Sequence, residues 1–149
     1  MEPLEPATRE MSPDSPARIR DQFARHGLMA HLGASIQDIQ PGRVSIVLPF
    51  GAHVTQHHGY FHAGCTSAIA DTAGGFAAAT FYGPGRTVLT VEYKINLLAP
   101  GVGERLLAIG EVVRSGRTLT VTNLSVLALT GSDRKLIATG QQTLMAVAE

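Results

Sequence analysis

Side chains able to do acid–base or nucleophilic chemistry are concentrated in one short stretch of the chain. Four of the six histidines fall within ten residues: His53, His57, His58 and His62. Gln56 lies among them, and Asp71 follows inside a run of small apolar residues. A carboxylate in such surroundings is costly unless it faces a cleft or a partner. Asp71 is therefore the best candidate in the chain for a general base or a nucleophile.

The segment that carries Asp71 predicts a buried helix. Residues 63–81 read AGCTSAIADTAGGFAAATF, which is mostly small and apolar, holds no proline and is too long for a strand. Alanine favours helix, although Gly74 and Gly75 each cost it roughly 1 kcal/mol. A helix that is apolar nearly all round is a buried one, and its small side chains let other backbone approach closely. The helix should end at the turn formed by residues 83–85.

The N-terminal part of the chain predicts a tail and a second helix. Residues 1–14 are expected to form a flexible tail, because prolines among acidic and small residues cannot bury much surface. A Ser-Pro pair then predicts the start of an amphipathic helix over residues 15–26, which Gly27 can end. Residues 15–149 are predicted to be a single domain.

The remaining segments predict a sheet. Alternation of apolar and polar residues indicates two strands before the central helix, at residues 34–40 and from Arg43, with a Pro-Gly turn between them. Four strand-like segments follow the helix: residues 87–98, 104–115, 118–129 and 136–147. Their connections are too short for crossover helices, so they are expected as antiparallel neighbours. One antiparallel sheet around one apolar helix is an α+β architecture.

Two of these strands carry finer predictions. Five apolar residues of the first alternate with polar ones and are expected on one face: Leu89, Val91, Tyr93, Ile95 and Leu97. The polar residues between them, including Thr90, are expected on the other face. In residues 118–129 the alternation slips near Asn123, which predicts a bulge or burial on both faces.

Composition excludes several classes of protein. The chain has 149 residues, 44% hydrophobic and 16% charged, which suits one domain with a buried core. Twelve basic residues balance twelve acidic ones, so the chain lacks the excess of positive charge that nucleic-acid binding needs. Without a net charge, copies of the chain do not repel one another, which permits self-association. A single cysteine excludes an internal disulfide and a cysteine-based zinc cluster. No segment has the pattern of a membrane span or a secretory signal, so a cytoplasmic location is expected.

The histidine cluster also permits a metal-site hypothesis. Two pairs are spaced four residues apart: His53 with His57, and His58 with His62. Either pair could bind zinc on a helix, but Gly59 weakens such a helix and no glutamate follows the first histidine as in HExxH. We therefore predict no metal. His62 is expected to make a structural hydrogen bond at the start of the central helix or to shape the site.

Cys65 offers another route to nucleophilic catalysis. It lies in the first turn of the predicted helix, where its pKa could fall, and it could act with His62. A lone cysteine in such a helix is more often a small packing residue, and that is the interpretation we adopt. The chain contains no GxSxG motif, so a serine hydrolase of the α/β type is not expected.

The stretch QHHGYFHAGCTSAIADTAGG resembles the hotdog-fold acyl-CoA thioesterases, specifically the branch named for phenylacetic acid degradation (PaaI-like). The family pattern has Asn or Gln, then His-Gly-Gly about six residues on, then Asp or Glu further along the central helix. Three features match it in order and spacing: Gln56, His62-Ala63-Gly64 and Asp71. The first glycine of the family triplet is Ala63 here, and glutamine at the amide position is a feature of the aryl-CoA branch.

The resemblance covers roughly residues 33–146 and includes the strand VEYKINLLAP, the segment GERLLAIGEVV and a Gly-centred hairpin. It implies a hotdog fold, in which an antiparallel sheet of five to six strands wraps around a long central helix. It also implies an enzyme without a further cofactor that hydrolyses an aryl or medium-chain acyl-CoA to free acid and CoA. Small helix residues could leave room for the acyl group: Ala70, Gly74 and Ala77.

The residues themselves supply chemistry that suits a thioester. The N-terminus of a buried helix presents free N–H groups and the positive end of a dipole, which can stabilise a developing oxyanion. Ala63 and Gly64 lie at that position. Gln56 can hold a water molecule or the carboxylate. Asp71 then either attacks the carbonyl carbon or deprotonates water.

Helix geometry predicts that two subunits share each site. Asp71 lies eight residues after Ala63, which separates their backbones by roughly 12 Å along one helix. An aspartate side chain cannot reach a carbonyl bound at Ala63 of its own helix. Gln56 and Ala63 of one subunit should therefore face Asp71 of another across a two-fold axis. A homodimer is the expected minimum unit, and the resemblance implies a homotetramer.

Five further residues are expected to contact the substrate: Thr90, Thr72, Gly75, Arg86 and Lys94. Thr90 aligns with a family position where a hydroxyl approaches the site, and it is equally explained as a polar residue of an alternating strand. Aryl-CoA relatives carry a hydroxyl at the position of Gly75. CoA phosphates need cations, and four are available: Arg86, Lys94, Arg114 and Arg117.

Two other functions fit the same fold. A hydratase or dehydratase would pair Asp or His with a different helix motif, which this chain lacks. A non-catalytic acyl-CoA-binding protein would keep the cleft and lose the acid, whereas Asp71 and Gln56 are both present. A DNA-binding regulator would need an appended domain, and the tail of about 15 residues is too short for one. Membranes and nucleic acids are not expected partners.

Overall fold

The computed structural model describes residues 9–149, so most of the predicted tail at residues 1–14 lies outside the described part. Three α-helices and six strands follow one another along the chain: α1 (Ser15–Ala24), α2 (Gly27–Leu32), β1 (Ser35–Gln40), β2 (Arg43–Pro49), α3 (Ala63–Ala79), β3 (Arg86–Leu97), β4 (Arg105–Ser115), β5 (Leu119–Thr130) and β6 (Asp133–Ala148). A short 3-10 helix at Ala52–Val54 interrupts the loop before α3. No helix among residues 9–149 is both long and apolar enough to cross a membrane.

The six strands form one antiparallel sheet in the order β1-β2-β4-β5-β6-β3. Helix α3 packs across one face of this sheet, mainly against β4, β2 and β5. The core lies between them and includes Ile46, Ile69, Leu106 and Leu124. The predicted hotdog architecture is confirmed. The expectation that β3 and β4 are neighbours is wrong, because the connection between them, residues 98–104, carries the chain past β5 and β6, and β3 pairs with β6 at the edge of the sheet.

Small residues of α3 let the helix lie directly on the sheet. A Cβ atom at Gly110 of β4 would overlap the backbone of α3 at Ala73 and Gly74, so β4 can carry no side chain at this crossing. Ala70 and Ala77 are fully buried in the same contact. The expectation that Ala70, Gly74 and Ala77 leave room for an acyl group is wrong, because their small size is used up by the approach of the sheet.

Helix α1 ends earlier than predicted and packs against α3. It stops at Ala24, and Gly27 begins the short helix α2 rather than simply ending the first. Arg18 ties α1 to the segment that follows α3 by donating to the carbonyl of Tyr82. Phe23 packs on Phe76 of α3, with their ring centroids 6.1 Å apart. These contacts place α1 beside the C-terminal part of α3.

The irregularity predicted near Asn123 lies in the neighbouring strand. The register of β4 against β5 shifts between Val112 and Arg114, opposite Thr122 and Val121, while β5 itself keeps its alternation. Asn123 pairs in register with both neighbouring strands, and the shift against β6 falls between Val126 and Leu127. The alternation only looked broken because the inward positions before Leu124 hold Thr120 and Thr122, which are buried and hydrogen-bonded. Polar residues on a buried face hide the period of the strand from a pattern based on hydrophobicity.

Candidate active site

Asp71 lies in the third turn of α3, half-buried, beside a cavity of about 340 Å³. One of its carboxylate oxygens, Oδ1, accepts a hydrogen bond of 2.7 Å from the Thr90 hydroxyl and another from the Gln142 side-chain amide. The other oxygen, Oδ2, accepts none from residues 9–149. The carboxylate is thus held by one oxygen and open at the other, which suits a base or a nucleophile.

A β-bulge brings Thr90 to this carboxylate. Thr90 pairs with Leu144 and Glu92 with Thr143, so Val91 is the extra residue of β3. Because a bulge reverses the alternation beyond it, Thr90 faces the helix together with Tyr93, while Glu92 bonds Thr143 on the outer face. Thr90 was predicted on the other face of β3 from the apolar residues. That prediction is wrong for the apolar residues after the bulge, Tyr93, Ile95 and Leu97, which share a face with Thr90.

The cavity beside Asp71 has an apolar wall and a polar rim. Phe76, Val88 and Leu144 contribute large apolar side chains to it. Gly75 opens onto the same cavity, and a Cβ atom there would meet only Leu144 at 3.8 Å. Thr72 also lines it, but its hydroxyl donates to the carbonyl of Ala68 in its own helix at 2.8 Å, so that proton is committed to the helix.

Helix α1 contributes to the rim of this cavity, which the sequence did not indicate. Gln22 donates to the carboxylate of Glu149 at 3.2 Å, and both side chains line the cavity with His26. The ring of His26 meets Phe76 edge-on at 6.4 Å between centroids. A side chain on a surface helix shows no local sign that it will close a distant cavity.

The start of α3 offers one free amide rather than the predicted two. His62 is the N-cap, and its Nδ1 accepts a 2.7 Å hydrogen bond from the backbone N–H of Gly64. That N–H is therefore already used inside the chain. The N–H of Ala63 has no acceptor among residues 9–149, which leaves it as the available donor for an oxyanion.

Gln56 lies in a tight turn before α3. Its carbonyl accepts a 2.9 Å hydrogen bond from the N–H of Gly59, whose positive φ of 83° suits glycine. Its side-chain oxygen accepts from the backbone N–H of His58. Gln56 and Ala63 line a second cavity, of about 500 Å³, with Leu97 and other residues. The predicted amide and oxyanion residues are thus brought together.

Within one chain the two halves of the predicted site are separate. The cavity beside Asp71 and the cavity beside Ala63 share no lining residue. Asp71, Thr72, Gly75 and Thr90 belong to the first cavity. The eight-residue spacing along α3, roughly 12 Å, keeps the carboxylate from a carbonyl held at Ala63 of the same helix.

The other three histidines of the cluster, His53, His57 and His58, contact neighbouring residues of their own loop or of α2. His53 lies in the 3-10 helix, and its Nε2 is 3.1 Å from the carbonyl oxygen of Leu32. The rings of His57 and His58 lie against each other, 3.9 Å between centroids, in the turn that follows. Neither four-residue pair lies on a helix, and no group of three or more metal-ligating side chains is formed among residues 9–149.

Cys65 is a poor nucleophile in this position. Burial raises the pKa of its thiol, contrary to the fall that its place in the first helical turn could cause. The thiol therefore stays protonated at neutral pH, and the thiolate is the form that attacks. The side chain packs against the core, as the favoured interpretation of the sequence has it.

The basic residues considered for CoA lie away from both cavities. Arg86 donates to the carbonyl of Arg117 at 3.1 Å, and its guanidinium lies 5.1 Å from the ring centroid of Tyr82. Lys94 follows Tyr93 and shares the outer face of β3 with Glu92. Arg114 lines a different cavity, at the far end of β4. None of these side chains lines either cavity of its own chain.

Gln142 is a site residue that the sequence analysis missed. It is fully buried on β6 and reaches Asp71 with its side-chain amide. The signal was present, because Gln142 falls in phase with Leu144 and Gly140 on the inner face of a strand. A polar residue on an apolar face must find buried partners, which marks it as worth attention.

The fold and these two half-sites define a hotdog protein that presents a carboxylate and a free helix N-terminus, an arrangement suited to acyl transfer. The Thioesterase superfamily profile matches residues 58–133, which span the end of the loop before α3, α3 itself and the strands β3, β4 and β5. A proposed esterase from Halobacterium salinarum is 32% identical over 119 residues, covering 76% of this chain and 78% of that protein. The chain therefore belongs to the Thioesterase superfamily. This membership supports an activity as a thioester hydrolase.

Solved structures agree with this assignment. A thioesterase family protein from Silicibacter pomeroyi is 43% identical, with a TM-score of 0.88 over 91% of this chain and 99% of its own. The PaaI protein of the E. coli phenylacetic acid degradation operon has a TM-score of 0.81 over 93% of this chain and 97% of its own. Its identity is 18%, so it supports the fold alone.

Proposed function

We propose that the protein is an acyl-CoA thioesterase that hydrolyses an aryl or medium-chain acyl-CoA to the free acid and CoA. The observation that carries this proposal is the Asp71 carboxylate, with Oδ1 held by Thr90 and Gln142 and Oδ2 open beside a cavity that has an apolar wall and a polar rim. A carboxylate with one oxygen fixed and the other open to a cavity is the arrangement that a general base or a nucleophile needs.

The working unit in this proposal is a homodimer with two shared sites. Ala63 and Gln56 of one subunit would bind the thioester carbonyl, and Asp71 of the other would act on it. Two observations support the sharing: the halves lie in separate cavities of one chain, and β3 is an edge strand with exposed apolar side chains. Leu89, Val91 and Leu97 are each more than half exposed, which favours a covered edge. A tetramer follows from the family resemblance alone.

The reaction proceeds by one of two routes at Asp71. In the first, Oδ2 removes a proton from water, and the water oxygen adds to the carbonyl carbon. In the second, Oδ2 itself adds to the carbonyl carbon, and water then hydrolyses the resulting mixed anhydride. In both, the N–H of Ala63 stabilises the oxyanion, the carbon–sulfur bond breaks, and the CoA thiolate takes up a proton.

The acyl group is assigned to the cavity lined by Phe76, Val88 and Leu144. Its volume of about 340 Å³ accepts an aromatic ring or a medium-length chain. Arg86 and Lys94 remain predictions for the CoA phosphates, because they would have to act from a neighbouring subunit. The cytoplasmic location also remains a prediction, which agrees with the need for a CoA thioester.

A panel of acyl-CoA thioesters, read by release of free thiol, tests the proposal. We expect turnover of at least one aryl or medium-chain thioester, and its loss in both Asp71→Asn and Asp71→Ala with unchanged assembly. Full activity in either variant would remove the acid from the mechanism. Tight binding of acyl-CoA without thiol release by the wild-type protein would favour the non-catalytic binding protein instead.

A further inference from the structure

Gln142 is a fully buried amide on the strand next to the edge of the sheet. It lies on β6 with no exposed surface, and its chain neighbours Gln141 and Thr143 belong to the outer face. An amide can donate two hydrogen bonds and accept two, and each one left unmade in the interior is costly. The partners of this side chain therefore determine what it contributes.

The amide oxygen of Gln142 is fixed by the neighbouring strand. Thr122 of β5 is also fully buried, and its hydroxyl donates to Oε1 of Gln142 at 2.9 Å. This hydrogen bond sets which end of the amide faces the strand and which faces the helix. The nitrogen, Nε2, is consequently turned toward α3.

The amide nitrogen of Gln142 meets only acceptors around Asp71. It donates to Oδ1 of the carboxylate, and lies 3.2 Å from the carbonyl oxygen of Asp71 and 3.0 Å from the Thr90 hydroxyl oxygen. Thr90 in turn donates to the same Oδ1. Three elements, α3, β3 and β6, thus converge on one carboxylate oxygen through a closed set of hydrogen bonds.

The helix is built to admit this side chain. A Cβ atom at Gly74, one turn beyond Asp71, would overlap Oε1 of Gln142 first, and also Cδ2 of Leu124 and the hydroxyl of Thr122. Glycine at this position costs the helix stability, roughly 1 kcal/mol relative to alanine in a helix interior. That cost is explained if the space beside Gly74 is needed by the Gln142 amide.

We propose that Gln142 is a positioning residue for the Asp71 carboxylate, a role that rests on the proposed thioesterase function. It holds Oδ1 against the sheet, so that Oδ2 is presented to the cavity in a fixed orientation. Thr122 acts one step further back by orienting the amide. A side chain with this role affects turnover more than substrate binding, because it sets the geometry of the reacting oxygen.

The adjacent glutamines provide a matched experiment. Gln142→Leu removes the amide and keeps most of the volume, while Gln141→Leu changes the neighbouring residue on the exposed outer face. We expect Gln142→Leu to lower kcat by about 10- to 100-fold with KM within about twofold, the range for losing a hydrogen bond to a charged group. Gln141→Leu should keep wild-type kcat.

Gln142→Glu tests whether the side chain at this position contacts the carboxylate that reacts. It keeps the shape of the side chain but places a second carboxyl group against Asp71, and like charges disfavour ionisation of the pair. The acidic limb of the pH profile of kcat should move up by about one pH unit or more. The other titratable groups lining the cavity, Arg25, His26 and Glu149, are the same in every variant.

The outcomes separate the two proposals. A wild-type protein that hydrolyses no acyl-CoA would overturn the proposed function, whatever Gln142 does. An active wild type with kcat and pH profile unchanged in Gln142→Leu and Gln142→Glu would overturn the positioning role alone. If thermal melts reveal that Gln142→Leu does not fold, Thr122→Val tests the positioning role instead, because it removes the hydroxyl that orients the amide. A several-fold lower kcat at unchanged KM is expected, and an unchanged kcat would overturn the positioning role.

Discussion

The Thr90 hydroxyl donates a 2.7 Å hydrogen bond to Oδ1 of Asp71, across 19 residues of sequence and from strand to helix. Only the bulge at Val91 allows this contact, because it places Thr90 on the inner face of β3 while Glu92 remains on the outer face. The hydrogen bond occupies the same oxygen as the Gln142 amide. It therefore leaves Oδ2 as the oxygen available for reaction.

Replacing Thr90 tests this contact. Thr90→Val keeps the shape and removes the hydroxyl, so kcat should fall by about 10-fold, as expected for loss of a hydrogen bond to a carboxylate. Thr90→Ser should retain most of the activity. Thr143→Val serves as the control, because Thr143 lies on the outer face and bonds Glu92. Thiol-release kinetics measure all three, and wild-type turnover in Thr90→Val would contradict a role for the hydroxyl.

Mixing two inactive variants tests whether subunits share the site. Gln56→Ala alone should lower turnover by at least about 10-fold, and Asp71→Ala should abolish it. When the two are unfolded together and refolded, half of the dimers are mixed, and each mixed dimer has one intact site. Thiol release should recover to about a quarter of the wild-type rate. A mixture no more active than its components would place both residues in one chain's site.

Changing the N-cap of α3 tests the role of His62. Nδ1 of His62 accepts from the N–H of Gly64, so His62→Ala leaves that N–H without its partner. We expect a loss of about 1 kcal/mol in the free energy of unfolding, and recovery in His62→Asn because asparagine is a good N-cap. Denaturant unfolding measures both. Equal stability of His62→Ala and wild type would refute the capping role, and loss of activity in a stable His62→Asn would indicate a catalytic one.

The chemistry of Cys65 should follow its raised pKa. Because burial raises the pKa of the thiol, less thiolate is present at pH 7 than in the unfolded chain, so alkylation should be slower in the folded protein. The difference in alkylation rate between the folded and the unfolded chain should narrow as the pH rises through the pKa of Cys65 in the folded protein. Cys65→Ala should keep wild-type turnover, since the thiol only packs. Rapid alkylation at neutral pH together with an inactive Cys65→Ala would restore the nucleophile hypothesis.

Local patterns were enough for the helix and for the motif. The length and apolar character of residues 63–81 predicted a buried helix, which forms over Ala63–Ala79, and Asp71 stood out as its one charged residue. The spacing along a helix is fixed by its geometry, so the separation of Asp71 from Ala63 could be calculated before any fold was known. The strand segments were located to within a few residues for the same reason, because alternation is a local property.

The sequence by itself determined which elements form and which residues carry chemistry. The tertiary structure alone decided which oxygen of Asp71 is free, which amide of the helix start is available and which buried glutamine holds the carboxylate. Gln142 lies 71 residues from Asp71 along the chain, and a single-residue bulge in β3 sets the face of Thr90. Such contacts depend on how strands pair and how closely a helix approaches them, and no local periodicity encodes either distance.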